Sequence, residues 1–274
     1  SPGFASDNTA FAGCNSRGVF KSTSRGSSWA LWTTGITNVH ALALAASPAY
    51  ASDRTLFAGI NNLGIYKSTD GGGSWAASSA GLTNTRFYAL AVSPNYTTDH
   101  MVFAATYGGG VFKSTNGGGS WSPANTGMTE NTLQSLAVSP NFASDRTLFA
   151  GTFGGKVYKS TDAGENWTLA HTGPQSCQFG ALALSPNYAS DQTLFAGTYS
   201  AGLYRSTNGG TSWSAGDRCA RRLARVCRRP HTLRGRHECG RVQVNEQRRL
   251  VERGERRAFI RLGQSPGALA RLRE

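Results

Sequence analysis

The feature that most constrains this chain is an eight-residue box. Ser160 to Trp167 has the form Ser-x-Asp-x-Gly-x-x-Trp, and versions of it recur at Ser22 to Trp29, Ser68 to Trp75, Ser114 to Trp121 and Ser206 to Trp213. The tryptophans stand at 29, 75, 121, 167 and 213, so every interval is 46 residues. A strict period of this length means stacked copies of one supersecondary unit, each burying its apolar face against its neighbours.

Residues 88–125 show what the unit is. Tyr88 to Val92 is a short apolar run that Ser93-Pro94 ends, because proline cannot continue a central ladder. After a loop at Asn95 to Asp99, a second run covers Met101 to Thr106. A glycine turn at Gly108 to Gly110 leads to a third run, Val111 to Thr115, which enters the box, and Ser120 to Pro123 begins a fourth. Four short strands joined by turns, with no competing helical period, predict an all-β chain built as blades of a β-propeller. The expected limits are a partial blade at 1–35 lacking its first strand, and blades at about 41–79, 88–125, 134–171 and 180–215. A fragment ending in an open arc would expose strand edges that invite aggregation.

Other columns keep the register. Phe11, Phe57, Phe103, Phe149 and Phe195 recur on the second strand; Phe20, Tyr66, Phe112, Tyr158 and Tyr204 on the third; Leu44, Leu90, Leu136 and Leu182 on the first. One residue type at every repeat is what packing between neighbouring blades requires. Asp7, Asp53, Asp99, Asp145 and Asp191 form a loop column, expected to cap the connection between strands one and two.

The box is read as structural. Its Asp or Asn (Asp70, Asn116, Asp162, Asn208) can accept backbone N–H bonds across a tight turn. Gly26, Gly72, Gly118, Gly164 and Gly210 permit positive φ. Trp29, Trp75, Trp121, Trp167 and Trp213 anchor the turns by burying a large ring. Ser22, Ser68, Ser114, Ser160 and Ser206 open the copies, and Ser24, in place of the acid, makes the first the weakest. Free exchange of Asp for Asn argues against a metal or catalytic role.

The net charge of +13 suggests a nucleic-acid partner until it is divided along the chain. Residues 1–215 carry 11 basic and 9 acidic side chains, whereas residues 216–274 carry 17 and 6, and all 17 bases are arginine. The repeats stop after Trp213-Ser214-Ala215. Read one nucleotide out of frame, permitted codons of Leu223 to Arg225 spell Ser-Pro, Arg229 yields Asp, Gln243 to Asn245 yield Lys-Ser-Thr, and Leu250-Val251 yield Ser-Trp. The recovered Ser and Asp are 6 apart, as are Ser185 and Asp191, and the recovered Lys and Trp are 8 apart, like Lys67 and Trp75. The tail is therefore expected to be a frameshifted sixth blade without a packed core. On that reading no nucleic-acid partner is expected; the rival is a genuine arginine-rich tail binding nucleic acid or an acidic surface. Five scattered cysteines (Cys14, Cys177, Cys219, Cys227, Cys239) form no disulfide framework or paired zinc motif. No apolar run is long enough to span a bilayer. The chain opens inside a repeat, so it reads as an internal fragment without a visible secretion signal.

These motifs resemble the Asp-box, or BNR, repeats of sialidases, sortilin-type Vps10 domains, family 74 xyloglucanases and photosystem II assembly factors. The resemblance covers residues 1–215, and the pattern SPNYASDRTLFAGT…GGVYKSTDGGxSW is most similar to bacterial sortilin- or xyloglucanase-like repeat proteins. It implies the propeller fold and leaves activity open, because this fold hosts unrelated functions. In a propeller blade the loops between strands one and two and between strands three and four share a face, which the uniform motifs occupy. The other face collects the variable loops, where a ligand site belongs. Tyr107, Phe153 and Tyr199 are candidates to stack on sugar rings or a peptide, with Arg86 and Glu130 nearby. A glycosidase needs two carboxylates; Glu130 is the single acid in a variable loop, and the FRIP-type arginine motif of sialidases is absent. His40, His100 and His171 lack metal-ligand spacing. No cofactor is expected. The expected function is a non-catalytic, secreted or cell-surface scaffold taking a protein or carbohydrate ligand. The alternative is a fragment of a xyloglucanase- or sialidase-like hydrolase with catalytic carboxylates partly outside it.

Overall fold

The computed structural model describes residues 1–36, 40–172, 178–199 and 201–215. The chain divides into two units, Ser1–Val226 and Cys227–Glu274, and all described residues belong to the first. The arginine-rich tail with its frameshift reading, Cys177, Cys219, Cys227, Cys239 and most of the loop from Gly173 to Phe179 lie outside the described residues.

Five antiparallel sheets follow one another in sequence. Blade I holds three strands, β1 (Ala10–Cys14), β2 (Gly18–Ser22) and β3 (Ala30–Leu31), after the helical turn α1 (Phe4–Asp7). Blade II runs β4 (Ala41–Ala46), α2 (Tyr50–Asp53), β5 (Leu56–Ile60), β6 (Gly64–Ser68) and β7 (Ala76–Ala77). Blade III repeats it with β8 (Phe87–Val92), α3 (Tyr96–Asp99), β9 (Val102–Thr106), β10 (Gly110–Ser114) and β11 (Ser122–Pro123). Blade IV has β12 (Leu133–Val138), α4 (Phe142–Asp145), β13 (Leu148–Thr152), β14 (Lys156–Ser160) and β15 (Thr168–Thr172). Blade V has β16 (Phe179–Leu184), α5 (Tyr188–Asp191), β17 (Leu194–Thr198), β18 (Gly202–Ser206) and β19 (Ser214–Ala215). The four-stranded sheets are meanders, each strand paired with the next, as expected for propeller blades.

Two local expectations are corrected. The segment Asn95 to Asp99 is not a plain loop: Tyr96–Asp99 is one turn of α-helix closed by His100 in the left-handed region at φ 52°. Asp99 holds it, with Oδ2 accepting from the Ser93 hydroxyl at 2.5 Å and Oδ1 from the Met101 N–H at 2.9 Å. Asp53, Asp145 and Asp191 make the same clip. The fourth strand of this blade is Ser122–Pro123 rather than a run from Ser120, because Ser120 and Trp121 belong to the box turn.

The apolar core lies between blades. Phe57 and Ile65 of blade II are fully buried in the cluster of Phe87, Tyr96, Phe112 and Trp121 of blade III. Phe103 and Val111 enter blade IV in the same way, and Phe149 and Val157 enter blade V. Four of the five second-strand phenylalanines meet the aromatic ring of the next blade's helical turn edge-on: Phe11–Tyr50 at 5.4 Å, Phe57–Tyr96 at 5.9 Å, Phe103–Phe142 at 5.7 Å and Phe149–Tyr188 at 5.8 Å. Full burial of such a ring stabilises by roughly 1.5–3 kcal/mol, and the edge-to-face contact adds about 0.5–1.5 kcal/mol.

Candidate ligand face and the box turns

The box turns tie the blades together. In blade II, Ser68 Oγ accepts the Gly72 N–H at 2.8 Å and donates to Asp70 Oδ1 at 2.8 Å, which also accepts the Ser74 N–H at 2.9 Å. Ser114 with Asn116, Ser160 with Asp162 and Ser206 with Asn208 repeat the arrangement. At the weak first copy, Ser22 holds Gly26 and Ser24 Oγ accepts the Ser28 N–H. Gly26, Gly72, Gly118, Gly164 and Gly210 all lie at φ between 87° and 95°. The hydroxyl and N–H of Ser74, with Ser68 behind them, lower the Asp70 carboxyl to about 2. Partial desolvation acts against it at Asp162, but the Asn166 backbone and side chain still hold that carboxyl below its usual value.

The tryptophans do more than anchor their own turns. The indole N–H of Trp75 donates to Trp32 O at 3.0 Å, that of Trp121 to Ser78 O at 2.7 Å and that of Trp167 to Ala124 O at 2.8 Å, each in the preceding blade. Their backbone N–H groups bond Thr34, Ala80 and Thr126. Trp29 departs from the expectation of a buried ring: with no described blade before it, the ring is 39% exposed and its N–H turns back to Gly26 O. Trp213 likewise bonds its own Gly210 O, although blade IV precedes it.

A basic column was missed by sequence reasoning: Lys21, Lys67, Lys113, Lys159 and Arg205 recur at 46-residue spacing on the third strand. Lys21 Nζ donates to Gly71 O at 3.0 Å and Lys67 Nζ to Gly117 O at 2.8 Å, both in the next box, while Lys113 pairs with Glu165. Burial lowers the pKa of both Lys21 and Lys67.

The variable loops lie at the opposite end of the sheets. Three of the five candidate residues meet there. The Arg86 guanidinium lies 4.2 Å from the centroid of the Tyr107 ring, and Tyr107 meets Phe153 edge-on at 6.2 Å. All three are exposed, and the Tyr107 N–H bonds Arg86 O at 2.9 Å, fixing one loop on the other. Glu130 turns to the backbone, accepting the Gly154 N–H at 2.7 Å beside Phe153. Tyr199 is 73% exposed and lies over Gly180, where a Cβ would fall 2.7 Å from its ring; no aromatic pair joins it to Tyr107 or Phe153.

Tyr88 belongs to this cluster and was not anticipated. Its ring is 6.0 Å from Tyr107. Each first strand carries a register shift near its start, at Leu42, Tyr88, Gln134 and Gly180. Such a bulge re-aims a side chain. The changing column of Leu42, Tyr88, Gln134 and Gly180 is visible in the sequence, but the bulge that re-aims it is not. Among the described residues, Gln134 Oε1 in this column and Asn61 Oδ1, which aligns with Tyr107, are buried without a hydrogen-bond partner. No group of three potential metal ligands occurs among the described residues.

Fold and turns together define the class: an Asp-box β-propeller repeat protein. The model for sortilin, neurotensin receptor 3 (Sortilin-Vps10) matches residues 63–201, and the chain belongs to that family. No curated protein matches. Among solved structures, an ancestral GH74 enzyme is similar at 26% identity and a TM-score of 0.59, over 76% of this chain and 29% of that one. The GH74 enzyme of Niastella koreensis is 22% identical with a TM-score of 0.59, over 76% and 35%. YCF48 bound to D1 peptide is 22% identical with a TM-score of 0.52, over 72% and 61%. The chain thus spans about a third of the GH74 enzymes' length.

Proposed function

We propose that this chain is a non-catalytic binding scaffold, secreted or at the cell surface, that takes a protein or carbohydrate ligand on its variable-loop face. The observation that carries this reading is the exposed cluster of Arg86, Tyr107 and Phe153, with Tyr88 beside it, at the end of the blades where the repeats diverge. Aromatic faces stack on sugar rings or on peptide side chains, and an arginine already stacked on a ring keeps its donor edge free for a polar group. Among the described residues, no helix is long and apolar enough to cross a membrane.

The likeness to the ancestral GH74 enzyme supports a second reading, a piece of a glycoside hydrolase. Against it, Glu130 is engaged as a loop cap and no second acid joins it in a variable loop. A panel of β-glucans and peptides screened by calorimetry separates the two. The scaffold reading expects binding without release of reducing ends, reduced at least tenfold by Tyr107→Ala. Hydrolysis that disappears with Glu130→Gln overturns it.

A further inference from the structure

Two asparagines in the chain precede a glycine, Asn116 and Asn208, and both lie in box turns. Their local sequence is the same, Ser-Thr-Asn-Gly-Gly, at Ser114 to Gly118 and at Ser206 to Gly210. Asparagine in this position is open to attack by its own main chain, because glycine carries no Cβ to obstruct the approaching nitrogen. The folded turns oppose that attack in the same way. Each side-chain oxygen accepts from the Ser114 or Ser206 hydroxyl and from the Ser120 or Ser212 N–H, and each side-chain nitrogen donates to Ser120 or Ser212 Oγ. The Gly117 N–H is held by His100 O at 2.9 Å and the Gly209 N–H by Gln192 O at 3.0 Å.

The surroundings of the two glycines differ. Lys67 Nζ donates to Gly117 O at 2.8 Å, the Tyr96 hydroxyl donates to the same carbonyl at 3.5 Å, and Trp121 fastens the turn to Ser78 O of blade II. In blade V the corresponding groups, Lys159 Nζ and the Tyr188 hydroxyl, lie 3.5 and 3.4 Å from where a Gly209 Cβ would stand. Among the described residues neither bonds the Gly209 carbonyl: the Tyr188 hydroxyl has no partner, and Lys159 lies over the Phe149 ring. Trp213 turns back to Gly210 O. One turn is clamped to the blade before it, and the other closes on itself. A turn with fewer tertiary bonds opens more often.

We propose that Asn208 is a deamidation site gated by opening of the blade V box, and that its clamp protects Asn116. In the opened turn the Gly209 nitrogen, its proton passed to hydroxide, attacks Cγ of Asn208. The new C–N bond closes a cyclic succinimide as the bond from Cγ to the side-chain nitrogen breaks, and ammonia leaves with a proton taken from water. Water then adds to either ring carbonyl. Ring opening gives aspartate on one side and isoaspartate on the other, so the net change is water consumed and ammonia released, with no oxidation or reduction. The products differ in effect. Asp70 and Asp162 already serve this position, so aspartate keeps the turn. Isoaspartate routes the main chain through the side-chain carbons and misplaces the Gly210 N–H against Ser206 Oγ.

Peptide mapping by mass spectrometry tests this on the full 274-residue chain held folded in mildly alkaline buffer, reading the amide-to-acid mass change at each asparagine. A matched sample in urea supplies the intrinsic rates. In the folded chain Asn208 should convert roughly tenfold faster than Asn116, the ratio that about 1.4 kcal/mol of difference in opening free energy gives. In urea the two rates should converge, as the shared sequence requires. Lys67→Met, with an unchanged circular dichroism spectrum, should raise the Asn116 rate several-fold and leave the Asn208 rate as it was; Tyr96→Phe repeats the test from the other donor. Equal rates in the folded chain overturn the proposal, as does a faster Asn116. So does a ratio that persists in urea, which would assign the difference to sequence, or an Asn116 rate unmoved by both Lys67→Met and Tyr96→Phe.

Discussion

Ala163 sits at φ 61° inside its box, where three other copies place Gly71, Gly117 and Gly209 at similar angles. A side chain there crowds the following carbonyl, at about 1–2 kcal/mol per residue in the left-handed region. Ala163→Gly should therefore raise stability by about 0.5–1 kcal/mol, measured by denaturant unfolding, after the lost burial of one methyl is offset. Asp70 gives a pH signature. Its folded carboxyl is depressed from 3.8 to about 2, so its contribution is fully present above the ordinary value and disappears as pH falls through about 2. Unfolding temperatures measured from neutral pH downward should fall less steeply in Asp70→Asn, because Asn116 and Asn208 already hold the same turn without charge. This exchange of Asp and Asn made the box legible in the sequence. The lysine column was not, since a lysine alternating with apolar residues reads as a solvent-facing position, whereas here its ammonium lies over a phenylalanine ring and reaches a carbonyl.

At the scale of elements, the seam between blades rests on a glycine as well as a tryptophan. Gly81 has φ 84°, and a Cβ there would lie 2.2 Å from Trp121 O; Gly108 has φ 87° with nothing within 4 Å of its Cβ position. Both substitutions to alanine strain the backbone, but only Gly81→Ala also displaces a seam. It should cost well over about 1 kcal/mol while Gly108→Ala stays near that figure, compared by chemical unfolding of the two variants. The strand order and the box turns were readable because periods of two and forty-six both repeat. The helical turn at Tyr96–Asp99 was hidden, as four residues are too few to show a helical period. Tyr88 was hidden for another reason: a bulge shifts pairing by one residue, and alternation alone does not reveal which residue is displaced.

For the molecule as a whole, the four seams are not equal. The junction of blades IV and V keeps its aromatic pair, Phe149 with Tyr188, and Lys159 over Phe149. Among the described residues it lacks the indole bond to the preceding blade, and the Tyr188 hydroxyl is buried without a partner, where Tyr50 and Tyr96 reach Gly71 and Gly117. Burial pushes that phenol up to about 12. Trp121→Phe, which orphans Ser78 O, should therefore destabilise by about 1–3 kcal/mol, and Trp213→Phe by clearly less, with calorimetric unfolding as the measurement. Most seam bonds end on backbone carbonyls, which every residue type supplies. A blade joined in this way asks almost nothing of its neighbour's identity, so a gene of this kind can gain, lose or reorder repeats without compensating substitutions. Lys113 with Glu165 and His40 with Asn15 are exceptions. Those pairs read side chain against side chain, and they make the orders of blades III and IV and of blades I and II the ones an evolving chain is least free to shuffle.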